Sequence, residues 1–115
     1  MDRTDYRYNL EYRAQVRERI RVLARGLISG DLGVIAAARE LISFRDGVEP
    51  EIGELLMVFV AINSESDALP IGKERSLWAS RALDRLDPEI KAAEQSWRED
   101  AVAASTHLLR LLEEE

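Results

Sequence analysis

Near the N-terminus, Tyr12, Val16, Ile20, Leu23 and Leu27 recur at steps of three and four, with Arg, Glu and Gln between them. That spacing gathers the apolar groups on one face and predicts a long amphipathic helix from about Thr4 to Ile28. Ser29-Gly30-Asp31 ends it. Gly30 can take the left-handed conformation after the last turn, and Asp31 is placed to cap the next helix by accepting from a free backbone N–H. So short a connection predicts an antiparallel helical hairpin. The second helix, about Leu32 to Arg45, turns Leu32, Ile35, Ala38 and Ile42 to one side, and Ala36 and Ala37 allow close approach. Asp46-Gly47-Val48-Glu49-Pro50 breaks it. Pro50 suits the first position of a new helix, where its missing N–H has no partner to lose, and Glu51 and Glu54 sit at the positive end of that helix dipole.

Leu55 to Ile62 is an unbroken apolar run, rich enough in β-branched and aromatic residues to read as a strand. No other segment offers it a strand partner, and a lone buried strand would leave its N–H and C=O groups unpaired. Residues 51 to 63 are therefore expected to form a helix, apolar on nearly all sides and central. After a polar segment, Asn63 to Gly72, a short helix is expected over Lys73 to Ala79, with an extension through Arg81 to Leu86. Asp87-Pro88-Glu89 then gives a cap, a proline and an acid in order, which predicts the start of the last helix. That helix runs to about Leu112, carrying Ile90, Ala93, Trp97, Ala101, Ala104, Leu108, Leu111 and Leu112 inward. The tail Glu113-Glu114-Glu115 has the wrong charge for its end of the dipole and is expected to fray. The pattern as a whole predicts an all-α bundle of four to five helices with an N-terminal hairpin and a long C-terminal helix.

Length agrees with one domain: 115 residues bury about 65% of the surface of the unfolded chain, enough for a core without staples. Cysteine is absent, which excludes disulfides, thiolate metal sites and a Cys nucleophile. The charged start Met1-Asp2-Arg3-Thr4-Asp5 and the shortness of the apolar run give a cytoplasmic protein without a membrane span as the expectation. Fourteen of the 16 basic residues are Arg and 14 residues are Ala, a bias expected of a GC-rich bacterial genome. Charge is uneven. Residues 1–25 hold seven Arg against four acids, whereas the rest of the chain is acidic enough to bring the net charge to -6. An acidic bulk disfavours nucleic acid and anionic membranes as partners, and the basic first helix is expected to dock on the acidic remainder of its own fold.

Candidate chemistry gathers between Ser64 and Trp78. Glu65 and Asp67, one residue apart, have the spacing at which two carboxylates can share a hard cation, but such a site needs more ligands than two. The simpler reading ties the turn through Ser64, Ser66 and Asp67, with Glu65 or Asp67 paired to Arg75. Gly72 before a helix, with Lys73, Arg75 and Trp78 following, has the composition of an anion site, although Glu74 lies among the cations. Arg75 and Trp78 are three apart on one helix face, a spacing that lets them stack. His107, the only histidine, has no companions for a triad or a zinc site and is expected on a surface or half-buried helix face. Trp97 is expected to anchor the core. Tyr6, Tyr8 and Tyr12 have the aromatic character of an interface or of a cover over one end of the bundle.

The stretch Ser64-Glu65-Ser66-Asp67-Ala68-Leu69-Pro70-Ile71-Gly72, followed by Arg75 and Trp78, resembles a S-E-x-D-x-L-P-x-G-x-x-R-x-x-W signature of small uncharacterised bacterial helical proteins. The Leu27-Ile28-Ser29-Gly30 turn and the long final helix are similar to theirs as well. The resemblance implies no activity, cofactor or catalytic residue; it groups Glu65, Asp67, Pro70, Gly72, Arg75 and Trp78 as a set. By size and charge alone the chain is analogous to antitoxin- and immunity-like partners. The sequence thus leads to a non-enzymatic interaction module with a protein partner and no cofactor, with Glu65, Asp67, Lys73, Arg75 and Trp78 as contact candidates. Two alternatives stay open: a small-ligand or divalent-metal site on Glu65, Asp67 and Arg75, and a homodimer that buries surplus apolar surface of the third helix.

Overall fold

In the computed structural model, which describes residues 10–69, 71 and 78–113, every regular element is helical. Helix α1 spans Leu10–Ser29, α2 Val34–Leu41 with a 3-10 turn at Ile42–Phe44, α3 Pro50–Ser66 and α4 Ser80–Glu113. The fold is the all-α bundle that the periodicity predicts.

Val16, Ile20, Leu23, Ala24 and Leu27 form the buried face of α1. Gly30 closes it at φ 85, its N–H reaching Leu27 O at 3.3 Å, while the N–H of Leu32 reaches Gly26 O at 3.1 Å. Gly26 matters for a second reason: a Cβ there would lie 2.4 Å from Leu32 Cδ1, so any side chain at that position forces Leu32 to move from where it packs. From this turn α2 runs back along α1. Arg19 meets Glu40, and one turn or two further out Arg13 and Arg17 meet Glu49, which makes the hairpin antiparallel.

α3 begins at Pro50 as predicted. The apolar run is helical, and its buried face is Ile52, Leu56, Phe59, Ile62 and Ser66, at steps of three and four. A helix satisfies its own backbone within the segment, whereas a strand needs a neighbour, and no strand exists among the described residues. The expectation that this helix, apolar on nearly all sides, is central needs correction. Phe59 is fully buried, but Met57 on the far side is 50% exposed and Ala61 is also exposed, so α3 lies on the outside of the bundle.

The helix against which both α1 and α3 pack most extensively is α4. At 34 residues it is about 51 Å long, matching the 48 Å long dimension of the molecule. Its buried residues, Ala101, Ala104, Ser105, Leu108 and Leu112, all lie in its C-terminal half. The predicted start at Asp87-Pro88-Glu89 is overturned, because Pro88 lies inside the helix. Proline removes one N–H and crowds the carbonyl four residues back, but Pro88 and Asp84 are exposed and water can take the freed carbonyl. Meanwhile Leu83, Leu86, Ile90, Ala93 and Trp97 continue one apolar stripe straight through the proline. A sustained 3.6-residue period outweighs a local start signal.

Candidate functional site

The acidic segment does not form the loop predicted for it, because α3 continues through Asn63, Ser64 and Glu65 to Ser66. Asp67 is its C-cap in helical conformation. Glu65 therefore projects from a helix and accepts a hydrogen bond from Trp97 Nε1 at 2.9 Å. Trp97 packs its ring against the core and turns its one polar atom outward, as expected of an anchor with a polar edge. Ser66 Oγ donates to Ile62 O at 2.6 Å. No group of three or more His, Asp or Glu side chains among the described residues is arranged to hold a metal ion. Trp78 is 41% exposed. Lys73, Arg75, Pro70 and Gly72 lie outside the described residues, as do Tyr6 and Tyr8.

The chain leaving α3 is held by Arg39 from α2. Its Nη2 donates to Ser66 O at 2.8 Å and to Leu69 O at 3.0 Å, closing carbonyls at the negative end of the α3 dipole. The same device recurs with the opposite sign at the start of α2. The N-cap position, Gly33, has no side chain to offer, and the carboxylate of Glu94 on α4 accepts from Val34 N at 2.5 Å and Ile35 N at 3.1 Å. The expectation that Asp31 caps this helix is corrected accordingly: Asp31 lies before Gly33 and accepts from Ser29 Oγ instead. Arg98 Nη2 reaches Leu27 O, and Arg21 Nη2 reaches Leu112 O, each at 3.4 Å. Helix ends are thus closed by charges from other helices, each with the sign that its dipole favours.

The arginines of α1 are engaged within the fold, as their partner acids allow. Arg13 and Arg17 converge on Glu49 at 2.5 and 3.1 Å, Arg17 being only 7% exposed. Arg19 grips Glu40 through both Nε and Nη2, which pushes the Glu40 carboxyl below its usual range and makes the Arg19 guanidinium hold its proton more tightly. Arg21 pairs with Glu18 and Arg25 approaches Glu113 at 3.9 Å. A groove of about 250 Å³ over Arg13, Arg17 and Arg21 is therefore lined by cations that already have acidic partners.

A different situation holds between the first half of α3 and the last turns of α4. A groove of about 430 Å³ is lined by Glu51, Glu54 and Leu55 on one side and by His107, Arg110 and Leu111 on the other. The two helices are antiparallel in a regular register, since Glu51 and Glu54 face His107 to Leu111 at this end and Glu65 meets Trp97 at the other. Leu55 and Leu111 are half-buried against the core and make the floor, while the four polar side chains stand exposed on the rims. None of those four makes an ion pair or side-chain hydrogen bond with another described residue. His107 sits on an exposed helix face, as expected, but its neighbours across the groove are not evident from its position in the chain. The sequence signal for them is indirect: Glu51 and Glu54 fit the dipole of α3, which accounts for them without reference to α4.

No helix among the described residues is long and apolar enough to cross a membrane. Compared with family models, with curated proteins and with solved structures, the chain finds no match in any of the three.

Proposed function

We propose that the chain is a protein-interaction domain whose contact surface is the α3–α4 groove. The observation that carries this reading is the make-up of the groove: Glu51, Glu54, His107 and Arg110 stand exposed around a floor of Leu55 and Leu111 and have no ion-pair or hydrogen-bond partner among the described residues. An apolar floor with charged rims has the anatomy of a contact patch, with the apolar part supplying burial and the rim supplying register. The exposed Met57 on the next turn of α3 extends the same character beyond the groove. A ligand site on Glu65 and Asp67 has less support, since Glu65 already holds Trp97. The test places a photo-crosslinking side chain at His107 or Leu111, with Gln95 on an exposed face of α4 as control. Protein adducts are expected from the groove positions in excess of the control, and equal labelling from all three overturns the reading.

A further inference from the structure

Resting on that reading, we infer that the protein received by the groove is a second copy of this chain, related by a two-fold axis running along the groove. The argument begins with how the rims are charged. Acids stand on α3 only, at Glu51 and Glu54, and the basic groups stand on α4 only, at His107 and Arg110, at the same height along an antiparallel pair. A two-fold axis along the groove lays α3 of one copy over α4 of the other without changing that height. Glu51 and Glu54 then face the basic rim of the second copy, the same contact forms twice, and the leucine floors meet between them. An axis across the groove would instead stack α3 on α3 and set acid against acid, so the charge pattern selects one of the two face-to-face arrangements.

Net charge points to the same place. Two chains of -6 repel over most of their surfaces, but this patch carries two carboxylates, one guanidinium and one imidazole around apolar side chains, so it is locally near balance. The product is a four-helix arrangement in which each α3–α4 pair covers the other.

Light scattering on the full chain tests this. The mass is expected to rise from 13.1 kDa toward twice that value as concentration increases from about 1 to about 200 μM, the range of a contact at the small end of stable interfaces. Glu54→Arg and Arg110→Glu are each expected to remain monomeric, because each sets like charges face to face, with helical content and melting of the dilute protein unchanged. A 1:1 mixture of the two is expected to recover the dimer mass, as both contacts become opposite-charge pairs across the axis. A pair within one chain would not be rescued by mixing. The inference is overturned if the wild-type mass stays at 13.1 kDa, if both single variants dimerise like wild type, or if the mixture remains monomeric. A monomeric wild type that still crosslinks another protein from His107 or Leu111 removes the two-fold contact and leaves the groove as an interaction surface. A dimer indifferent to both reversals, without groove crosslinks, removes both.

Discussion

The two ends of the α3–α4 pair carry similar side chains with opposite fates. Where α3 ends, Arg39 closes its last carbonyls, Glu65 holds Trp97, and Glu94 closes the start of α2. Where α3 begins, Glu51, Glu54, His107 and Arg110 are left standing around a groove. Residue type does not separate these groups. What separates them is whether another helix presents a hydrogen-bond partner within reach. The groove end has termini too: Pro50 at the start of α3 has no N–H to satisfy, and Arg21 from α1 reaches Leu112 O at the end of α4. Glu51 and Arg110 suit the dipoles of the helix ends they stand on, but none of the four groove side chains hydrogen-bonds a backbone group, and all four face solvent.

The largest effect should come from breaking the closed end. Glu94→Ala leaves the N–H groups of Val34 and Ile35 without their acceptor, at a residue pair that is fully buried. Loss of charge-assisted bonds from these donors costs about 2–3 kcal/mol, or a fall in melting temperature of roughly 10 °C for a domain of this size. Glu94→Gln keeps an acceptor without the charge and should cost about half as much. Hydrogen exchange at Val34 and Ile35 should quicken in Glu94→Ala. An unchanged melting temperature would show that the carboxylate is not the cap. Arg39→Met, which keeps the aliphatic stem and removes the donors to Ser66 O and Leu69 O, should cost less, about 1–2 kcal/mol, because Leu69 is only half-buried and water can take its carbonyl.

This contrast also explains what the sequence made legible. Periodicity located the first two helices and the second half of the last, because burial of one face is a property of a single segment: Val16, Ile20, Leu23 and Leu27 on α1 are an example. Gly30 and Pro50 marked their turns because φ 85 and a missing N–H are local requirements. Pro88 misled because a local signal stood against a longer one, the stripe from Leu83 to Trp97. The caps were illegible in detail, since Glu94 and Val34 are 60 positions apart and nothing local joins them. A hint was nevertheless present: Glu94 occupies the inward register of Ile90, Trp97 and Ala101, and an acid in an apolar stripe asks for a donor. The groove was hidden for the same reason, as its two rims come from opposite ends of an antiparallel pair.

Between the closed end and the open one lies an engaged but exposed pair, Arg19 and Glu40. Its contribution should appear as a pH dependence. The Glu40 carboxyl is pushed below its usual range by the Arg19 guanidinium, so the pair's stabilisation is fully present above the ordinary glutamate value, near about 4.3, and is lost as pH falls through the lower folded value. For an exposed pair the size is below about 1 kcal/mol. Thermal denaturation from pH 6 down to pH 3 should therefore show a slightly steeper loss of stability for wild type than for Glu40→Gln. Parallel curves would mean that Arg19 and Glu40 do not interact in solution.

The smallest effect is expected at the groove, and it is the one on which the comparison depends. Glu54→Gln, His107→Gln and Arg110→Gln remove charge from side chains that close no helix end and have no partner among the described residues. In dilute protein each should shift stability by no more than about 0.5 kcal/mol, the range of surface positions away from structural features. Concentrated protein should behave differently. A second copy bound to the folded form raises apparent stability by mass action, so the wild-type melting temperature should climb with concentration and that of the groove variants should climb less. A large loss in dilute Glu54→Gln or Arg110→Gln would place these residues with Glu94 as structural ties, and the division between a closed end and an open one would fall.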